Sequence, residues 1–145
     1  MLLSEVAEAS RDVAATSARL AKVARLAVCL AQASGPEIPI AVAYLSDELP
    51  QGTIGVGWAA LRELPPPAGA PPTLELPEVD QALSRLQAIA GRGSQAARRA
   101  ELSRLFGAAT DLEQRFLSSL LIGELRQGAL EGVMVDAVAE AAGIP

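Results

Sequence analysis

The sequence contains no histidine, one cysteine and one lysine, and aromatic residues occupy only 3% of its 145 positions. Without histidine, and with a single cysteine, the chain offers neither a tetrahedral zinc site nor a histidine-based catalytic triad. Lys22 follows Ala21, so the Gly-Lys-Ser/Thr loop that binds nucleotide phosphates is also absent. These absences argue against a self-sufficient enzyme, including a small hydrolase.

Long hydrophobic runs are lacking as well. None is longer than residues 26–31, which is far short of the roughly 20 residues needed to cross a bilayer. The first five residues lack the basic and apolar regions of a signal peptide. The single Cys29 cannot form an internal disulfide, which fits a reducing compartment. We therefore expect a cytoplasmic protein with no membrane partner.

What the sequence does contain is aliphatic: half of its residues are hydrophobic, and few stretches alternate with the period of a strand. Alanine and leucine favour helices, so the fold class is predicted to be all-α. A capping box at Thr110 to Glu113 predicts a helix start, and Thr16-Ser17 and Ser94 are predicted N-caps. The predicted helices cover residues 3–14, 18–33, 39–48, a short segment with Trp58 and Leu61, 77–90, 95–107, 111–122 and 131–142.

An internal repeat organises these helices. Residues 48–52 read Glu-Leu-Pro-Gln-Gly, and residues 124–128 read Glu-Leu-Arg-Gln-Gly. Ser17 and Ser94 recur at nearly the same offset, each followed by arginines. Self-similarity at a fixed distance is typical of a duplicated unit. We predict two pseudo-symmetric lobes, residues 1–64 and 78–145, with about eight helices in all and a proline-rich connector over 65–77.

Charge is distributed unevenly. The formal net charge is −5, yet residues 11–25 and 92–104 each contain four basic residues and one acidic residue. Local patches of this kind can direct association even when the whole chain is acidic. The basic patches occupy the same place in each repeat.

The two basic patches coincide with predicted helix starts. A helix N-terminus presents free N–H groups and the positive end of the helix dipole, which suits a phosphate. The alternative is that Ser17 and Ser94 only cap their helices. The recurrence of arginines in register at both places favours phosphate contact.

The second copy of the repeat motif adds a different kind of contact. Gly123 and Gly128 flank Arg126, which would let the backbone approach a duplex closely while the guanidinium enters the minor groove. The alternative is an ordinary helix-linking turn with a solvated arginine. Trp58 and Phe106 are expected in the core, and Cys29 is expected to pack there.

These motifs, in this order, resemble the N-terminal DNA-binding domain of ATP-dependent DNA ligases of the bacterial and archaeal multi-domain type. The resemblance implies two helical lobes that grip the minor groove on both sides of a nick. It departs at Glu124, where relatives often carry a basic residue and where a carboxylate would repel phosphate. By position, the resemblance assigns DNA contacts to Ser17, Arg19, Lys22, Gly55, Gly57, Gly93, Ser94, Arg98, Arg99, Gly123, Arg126 and Gly128.

The family's Lys-x-Asp-Gly adenylation motif does not occur in this sequence. We therefore expect a fragment without catalytic residues or a metal site, with ATP and Mg²⁺ used by other domains of the same ligase. The resemblance predicts non-specific binding of duplex, nicked DNA. The alternative is an all-α module of two helical repeats that binds proteins through apolar faces and acidic loops.

Overall fold

A computed structural model describes residues 1–69, 71–91, 93–123 and 131–143, and within these Trp58 and Glu131 by their backbone only. The described residues form helices and connecting loops, with a single antiparallel bridge between Leu2 and Glu75. The prediction of an all-α fold is confirmed. The helices are α1 (Leu3–Ala14), α2 (Arg19–Leu30), α3 (Ile38–Leu45, preceded by a 3-10 turn at Gly35–Glu37), α4 (Trp58–Leu61), α5 (Leu76–Ala88), α6 (Gln95–Gly107), α7 (Asp111–Ile122) and α8 (Glu131–Ala141).

The capping box predicted for α7 is present. The backbone N–H of Thr110 donates to Glu113 Oε1 at 2.8 Å, and the Glu113 N–H donates to Thr110 Oγ1 at 3.4 Å. This reciprocal pair satisfies two backbone donors at the helix start. The helix ends at Gly123, whose φ of 73° is the left-handed conformation that glycine adopts most easily.

The predicted N-cap at Thr16-Ser17 is wrong. The N-cap residue of α2 is Ala18, and no side chain of the described residues caps this helix. Thr16 instead belongs to the end of α1, because its hydroxyl donates to the Asp12 carbonyl at 2.8 Å. Helices α1 and α2 are so close in sequence that Thr16 completes the first helix and cannot start the second.

One hydrophobic core holds the described residues together. Helix α1 packs against α2, α3 and α7, while α8 packs against α2 and α5 against α3. Residues of both sequence halves therefore share one cluster, in which the Tyr44 and Phe116 rings lie 6.4 Å apart. Phe106 and Cys29 are buried, as expected. The pseudo-symmetry of two separate lobes is not confirmed.

The proline-rich segment lies along the corner between α6 and α7. The Ala68 N–H donates to the Ala109 carbonyl at 2.8 Å, and Gln114 donates from its amide to the carbonyls of Pro65 and Phe106. One backbone hydrogen bond and one bond from the Gln114 side chain thus hold part of the segment to the helices. No helix among the described residues is long and apolar enough to span a membrane.

Candidate nucleic-acid interface

The start of α2 presents the first group of predicted contacts. Ser17 is exposed just before the N-cap, and Arg19 is the first helical residue. Arg19 Nη1 lies 2.8 Å from Asp136 Oδ2 on α8, with both side chains about half exposed. Lys22 is half-buried and has no carboxylate partner in the described part of the chain. The group is polar and accessible, and one of its cations already pairs with a carboxylate.

The start of α6 presents the second group. Gly91 and Gly93 have φ values of 97° and 80°, and a residue with a β-carbon would be strained in this conformation. Ser94 is the N-cap, as predicted, but its ψ of −13° is not the extended conformation from which a serine caps a helix. Its hydroxyl accordingly makes no capping bond. An open depression of about 660 Å³ lies here, lined by Gly91, Gly93, Ser94, Gln95, Ala96 and Arg99.

The adjacent arginines of α6 take different directions. Arg98 is half-buried, and its guanidinium donates to backbone carbonyls of α5 and of the loop that contains Gly55. Arg99 is 69% exposed, and its Nε lies 3.4 Å from Glu63 Oε2. The prediction that both arginines contact phosphate remains untested, but only Arg99 presents its charge to solvent.

The loop with Gly55 and Gly57 lies beside α6. Gly55 has a φ of 79°, and Gly57 has no heavy atom near the position of an added β-carbon. A groove of about 350 Å³ separates residues 55–64 from α6, and both Arg98 and Arg99 line it. The loop and the start of α6 therefore lie together, although Gly55 and Arg99 are 44 residues apart in sequence.

Sequence reasoning missed how this loop is anchored. The amide of Gln51 donates to Asp80 Oδ1 at 2.7 Å and to Ser84 Oγ at 2.9 Å, and Gln87 donates to the Gln51 carbonyl. The anchor fixes the loop to α5. A signal was available, because a glutamine occupies the same position in both copies of the repeat, at 51 and 127.

The first copy of the repeat motif lies beside the end of α7. Glu48, Leu49 and Gly52 line one side of a pocket whose other side includes Leu121 and Gly123. Arg126 and Gly128, the predicted minor-groove residues, lie outside the described residues. Gly123 is in place at the end of α7, and its contact with DNA remains a prediction.

The structure thus brings Gly55, Gly93, Ser94, Arg98 and Arg99 to one region around α6. No hydrogen bond or ion pair within the described ranges links this region to Ser17, Arg19 or Lys22 at the start of α2.

Carboxylates accompany most of the basic residues in these patches. Sequence reasoning missed the partners of Arg19 and Arg99, because these carboxylates are distant in the chain and nothing local marks them. The pairs in the two patches are Arg11–Asp12, Arg19–Asp136, Arg25–Asp12, Arg99–Glu63 and Arg104–Glu101. The pairs of Arg19 and Arg99 are exposed on both sides, and such pairs contribute about 0–1 kcal/mol. A stronger anion can therefore displace the carboxylates at small cost.

The described residues offer little for covalent or metal chemistry. Burial raises the pKa of the Cys29 thiol to about 11, which disfavours the nucleophilic thiolate. No group of three or more histidine, cysteine, aspartate or glutamate side chains in the described ranges could hold a metal ion. The adenylation motif Lys-x-Asp-Gly, whose lysine would react with a nucleotide, does not occur in this sequence.

Comparison with known proteins connects this geometry to a family. Residues 62–139, more than half of the chain, match the family described as DNA ligase N terminus. The chain is 59% identical to a probable DNA ligase of Mycolicibacterium gilvum (strain PYR-GCK) over its full 145 residues, 58% identical to a probable DNA ligase of Mycobacterium sp. (strain KMS), and 57% identical to DNA ligase B of Mycobacterium tuberculosis (strain H37Rv). It spans 28% of the length of the first two relatives and 29% of the third. The chain therefore belongs to the family of DNA ligase N-terminal regions.

Proposed function

We propose that this chain binds duplex DNA without sequence preference as part of an ATP-dependent DNA ligase. It would hold nicked DNA through phosphates and the minor groove while other domains of the same protein seal the nick. ATP and Mg²⁺ would act in those other domains. In such an enzyme the sealing serves replication, repair and recombination. The family and the ligase names of the relatives support the parent activity.

The observation that carries the proposal is the chemistry of two helix starts. Helices α2 and α6 have no side-chain cap and no acidic residue in their first turns. Helix α3 shares this but has Glu37 as its N-cap residue. Helices α1, α5 and α7 each have an acid in the first turn, including Glu78 and Glu113, whose carboxylates accept from a preceding backbone N–H. The positive ends of α2 and α6 thus remain open to an external anion, and these are the two starts that the basic residues accompany.

Basic side chains complete each phosphate site. Arg19 and Lys22 lie in the first turn or so of α2, and Arg99 extends from α6 above the depression formed by Gly93 and Ser94. A charged donor strengthens a hydrogen bond to phosphate about twofold relative to a neutral one. Gly55 and Gly57 carry no side chains, so the neighbouring loop has little bulk and a duplex could approach α6 closely.

Fluorescence titration of the isolated chain with labelled nicked duplex, repeated at several salt concentrations, tests the proposal. Non-specific binding of this type has a Kd of about 10⁻⁴–10⁻⁶ M at physiological salt. The logarithm of the association constant should fall with the logarithm of the salt concentration, by about 0.9 for each phosphate contacted. Duplexes of different sequence should bind alike.

The alternative is a protein-interaction module. The exposed side chains of Leu20 and Val28 on α2 and Val135 on α8 favour it, being 80%, 61% and 60% accessible. Binding through such faces would respond little to salt. Absence of DNA binding at low salt, or a flat salt response, would favour this alternative over the DNA-binding role.

A further inference from the structure

The Arg98 guanidinium donates four hydrogen bonds, all of them to backbone carbonyls of the protein itself. Its Nη1 donates to the carbonyls of Leu86 and Ile89, each at 3.0 Å. Its Nη2 donates to the Ile54 carbonyl at 2.7 Å and, more weakly, to the Gly55 carbonyl at 3.5 Å. One guanidinium thus connects α6, the end of α5 and the glycine loop.

The acceptors explain why a cation is needed at this point. Leu86 lies in the last turn of α5 and Ile89 is its C-cap, where carbonyls lack helical partners and the helix dipole is negative. The Ile54 carbonyl belongs to a buried residue of an irregular loop. A planar guanidinium with five N–H groups can serve both segments, whereas an ammonium on a flexible stem cannot span them.

We propose that Arg98 is a positioning residue for DNA binding and makes no phosphate contact itself. All four of its terminal N–H groups face protein acceptors, which leaves only Nε. Its task is to hold the loop with Gly55 and Gly57 against the start of α6, so that loop and helix meet the same duplex. Arg99, whose charge is exposed, makes the phosphate contact. This inference rests on the proposed function.

Substitutions at the two positions distinguish positioning from contact. Arg98→Lys keeps the charge but cannot make the fork of hydrogen bonds, so it should weaken DNA binding about as much as Arg98→Ala, by about tenfold. Both variants should keep the salt slope of the natural protein. Arg99→Lys should bind nearly normally, while Arg99→Ala should reduce the slope by about one contact.

The loop itself gives a readout that does not depend on DNA. In Arg98→Lys, amide hydrogen exchange of residues 53–57 should become at least about tenfold faster. Arg99→Ala should leave this exchange unchanged. A circular dichroism melt of each variant establishes that it is folded at the temperature used.

A measurement on the unsubstituted protein covers the case in which the Arg98 variants do not fold. In NMR spectra of arginine side chains, added DNA should shift the Arg99 guanidinium signals and leave those of Arg98 in place. The proposal is overturned if Arg98 shifts like Arg99, or if Arg98→Lys binds DNA normally with unchanged loop exchange. If the natural protein binds no DNA at all, the proposed function fails, while the exchange data still decide whether Arg98 holds the loop.

Discussion

Arg126 is the single residue on which the minor-groove part of the proposal depends. It lies between Gly123 and Gly128 in the sequence, outside the described residues, so its role remains a prediction. An arginine in the minor groove responds to groove width and to the negative potential of narrow A·T-rich tracts. We expect Arg126→Ala to cost about 1–3 kcal/mol in binding and to affect A·T-rich duplexes more than G·C-rich ones.

Titration of both duplexes with the variant and the natural protein measures this difference, and thermal melting checks the fold. The alternative, a solvated arginine in a turn, predicts no change in affinity or stability, as for most surface substitutions. Equal affinities of variant and natural protein for both duplexes would remove Arg126 from the interface.

Asp136 should oppose DNA binding, because it occupies the guanidinium of Arg19. The pair is about half exposed on both sides, so its net contribution to stability is small. Asp136→Asn would release Arg19 and remove a negative charge beside the α2 start. We expect the variant to bind duplex DNA up to about fivefold more tightly, with an unchanged melting temperature.

Glu140→Gln provides a matched control on the same helix, since Glu140 is exposed and has no cationic partner in the described part of the chain. Like Asp136→Asn, this substitution removes one negative charge, and Glu140 lies about one helical turn from Asp136. If the control tightens binding as much as Asp136→Asn does, the effect comes from net charge and the pairing with Arg19 is irrelevant.

At the scale of a helix, the start of α6 allows stability and binding to be separated. Ser94→Asp would place a carboxylate at the positive end of the helix dipole and should stabilise the fold by about 0.3–1 kcal/mol. The same carboxylate would repel a phosphate at this position, so DNA affinity should fall about tenfold. Denaturant unfolding and duplex titration measure the two effects on one protein.

Asparagine is nearly the same size as aspartate but has no charge. Ser94→Asn should therefore leave the stability and the DNA affinity close to those of the natural protein. A Ser94→Asp variant that is more stable and binds DNA normally would show that no phosphate lies at the start of α6. A variant that loses stability would show that the carboxylate does not reach the helix end.

The 3-10 turn before α3 is held to the chain start by an ion pair. Glu37 accepts from the Met1 amine at 2.5 Å and from the backbone and hydroxyl of Ser34 at 2.8 and 2.9 Å. The bond from the amine, followed by the Ser34 bonds, lowers the pKa of Glu37 from 4.5 to about 2. The hydrogen bond to Glu37 raises the pKa of the Met1 amine above 8.0.

These shifts predict two pH windows. A lowered carboxyl pKa contributes stability that is complete above about pH 4.5 and is lost as the pH falls toward 2. A raised amine pKa contributes stability that is complete below pH 8.0 and is lost as the pH rises beyond it. In Glu37→Gln, melting temperatures should therefore vary less with pH in both windows.

Thermal melts of the protein with its own Met1 amine, recorded from acid to alkaline pH, check this expectation. Glu8→Gln serves as the control, because Glu8 is an exposed carboxylate on α1. A Glu37→Gln profile parallel to that of the natural protein would mean that the ion pair contributes nothing.

The helices themselves were largely predictable, because their signals are local. The capping box at Thr110 and the glycine at 123 mark both ends of α7, and the predicted range agrees with the observed one. Helix α6 likewise begins and ends where predicted. The N-cap predicted at Thr16-Ser17 was wrong because the Thr16 hydroxyl makes a competing local hydrogen bond to the Asp12 carbonyl.

The surroundings of the candidate site were not predictable in the same way. Whether Arg98 or Arg99 turns inward depends on carbonyls of Ile54 and Leu86, which come from other segments of the chain. The carboxylates beside Arg19 and Arg99 are 117 and 36 residues away. Sequence periodicity carries no information about such packing, which also joins the two sequence halves in one core.

At the scale of the whole molecule, the two helix starts should act as separate phosphate contacts on a chain with one shared core. Arg19→Ala and Arg99→Ala should each reduce the salt slope of DNA binding by about 0.9. Because no described contact joins the two residues, their effects on the binding free energy should add in the double variant within about 0.5 kcal/mol.

The matched control is Arg115→Ala, which removes another exposed arginine, this one from α7, where it pairs with Asp111. It lowers the net charge by the same amount, yet it lies at neither uncapped helix start, so the slope should stay unchanged. Salt titrations of the three single variants and the double variant on one nicked duplex decide the matter. If Arg99→Ala has the full effect of the double variant, α6 alone contacts DNA, and the basic patch of α2 serves another purpose. If Arg115→Ala lowers the slope as much as the others, the protein responds to total charge and no helix start is a site.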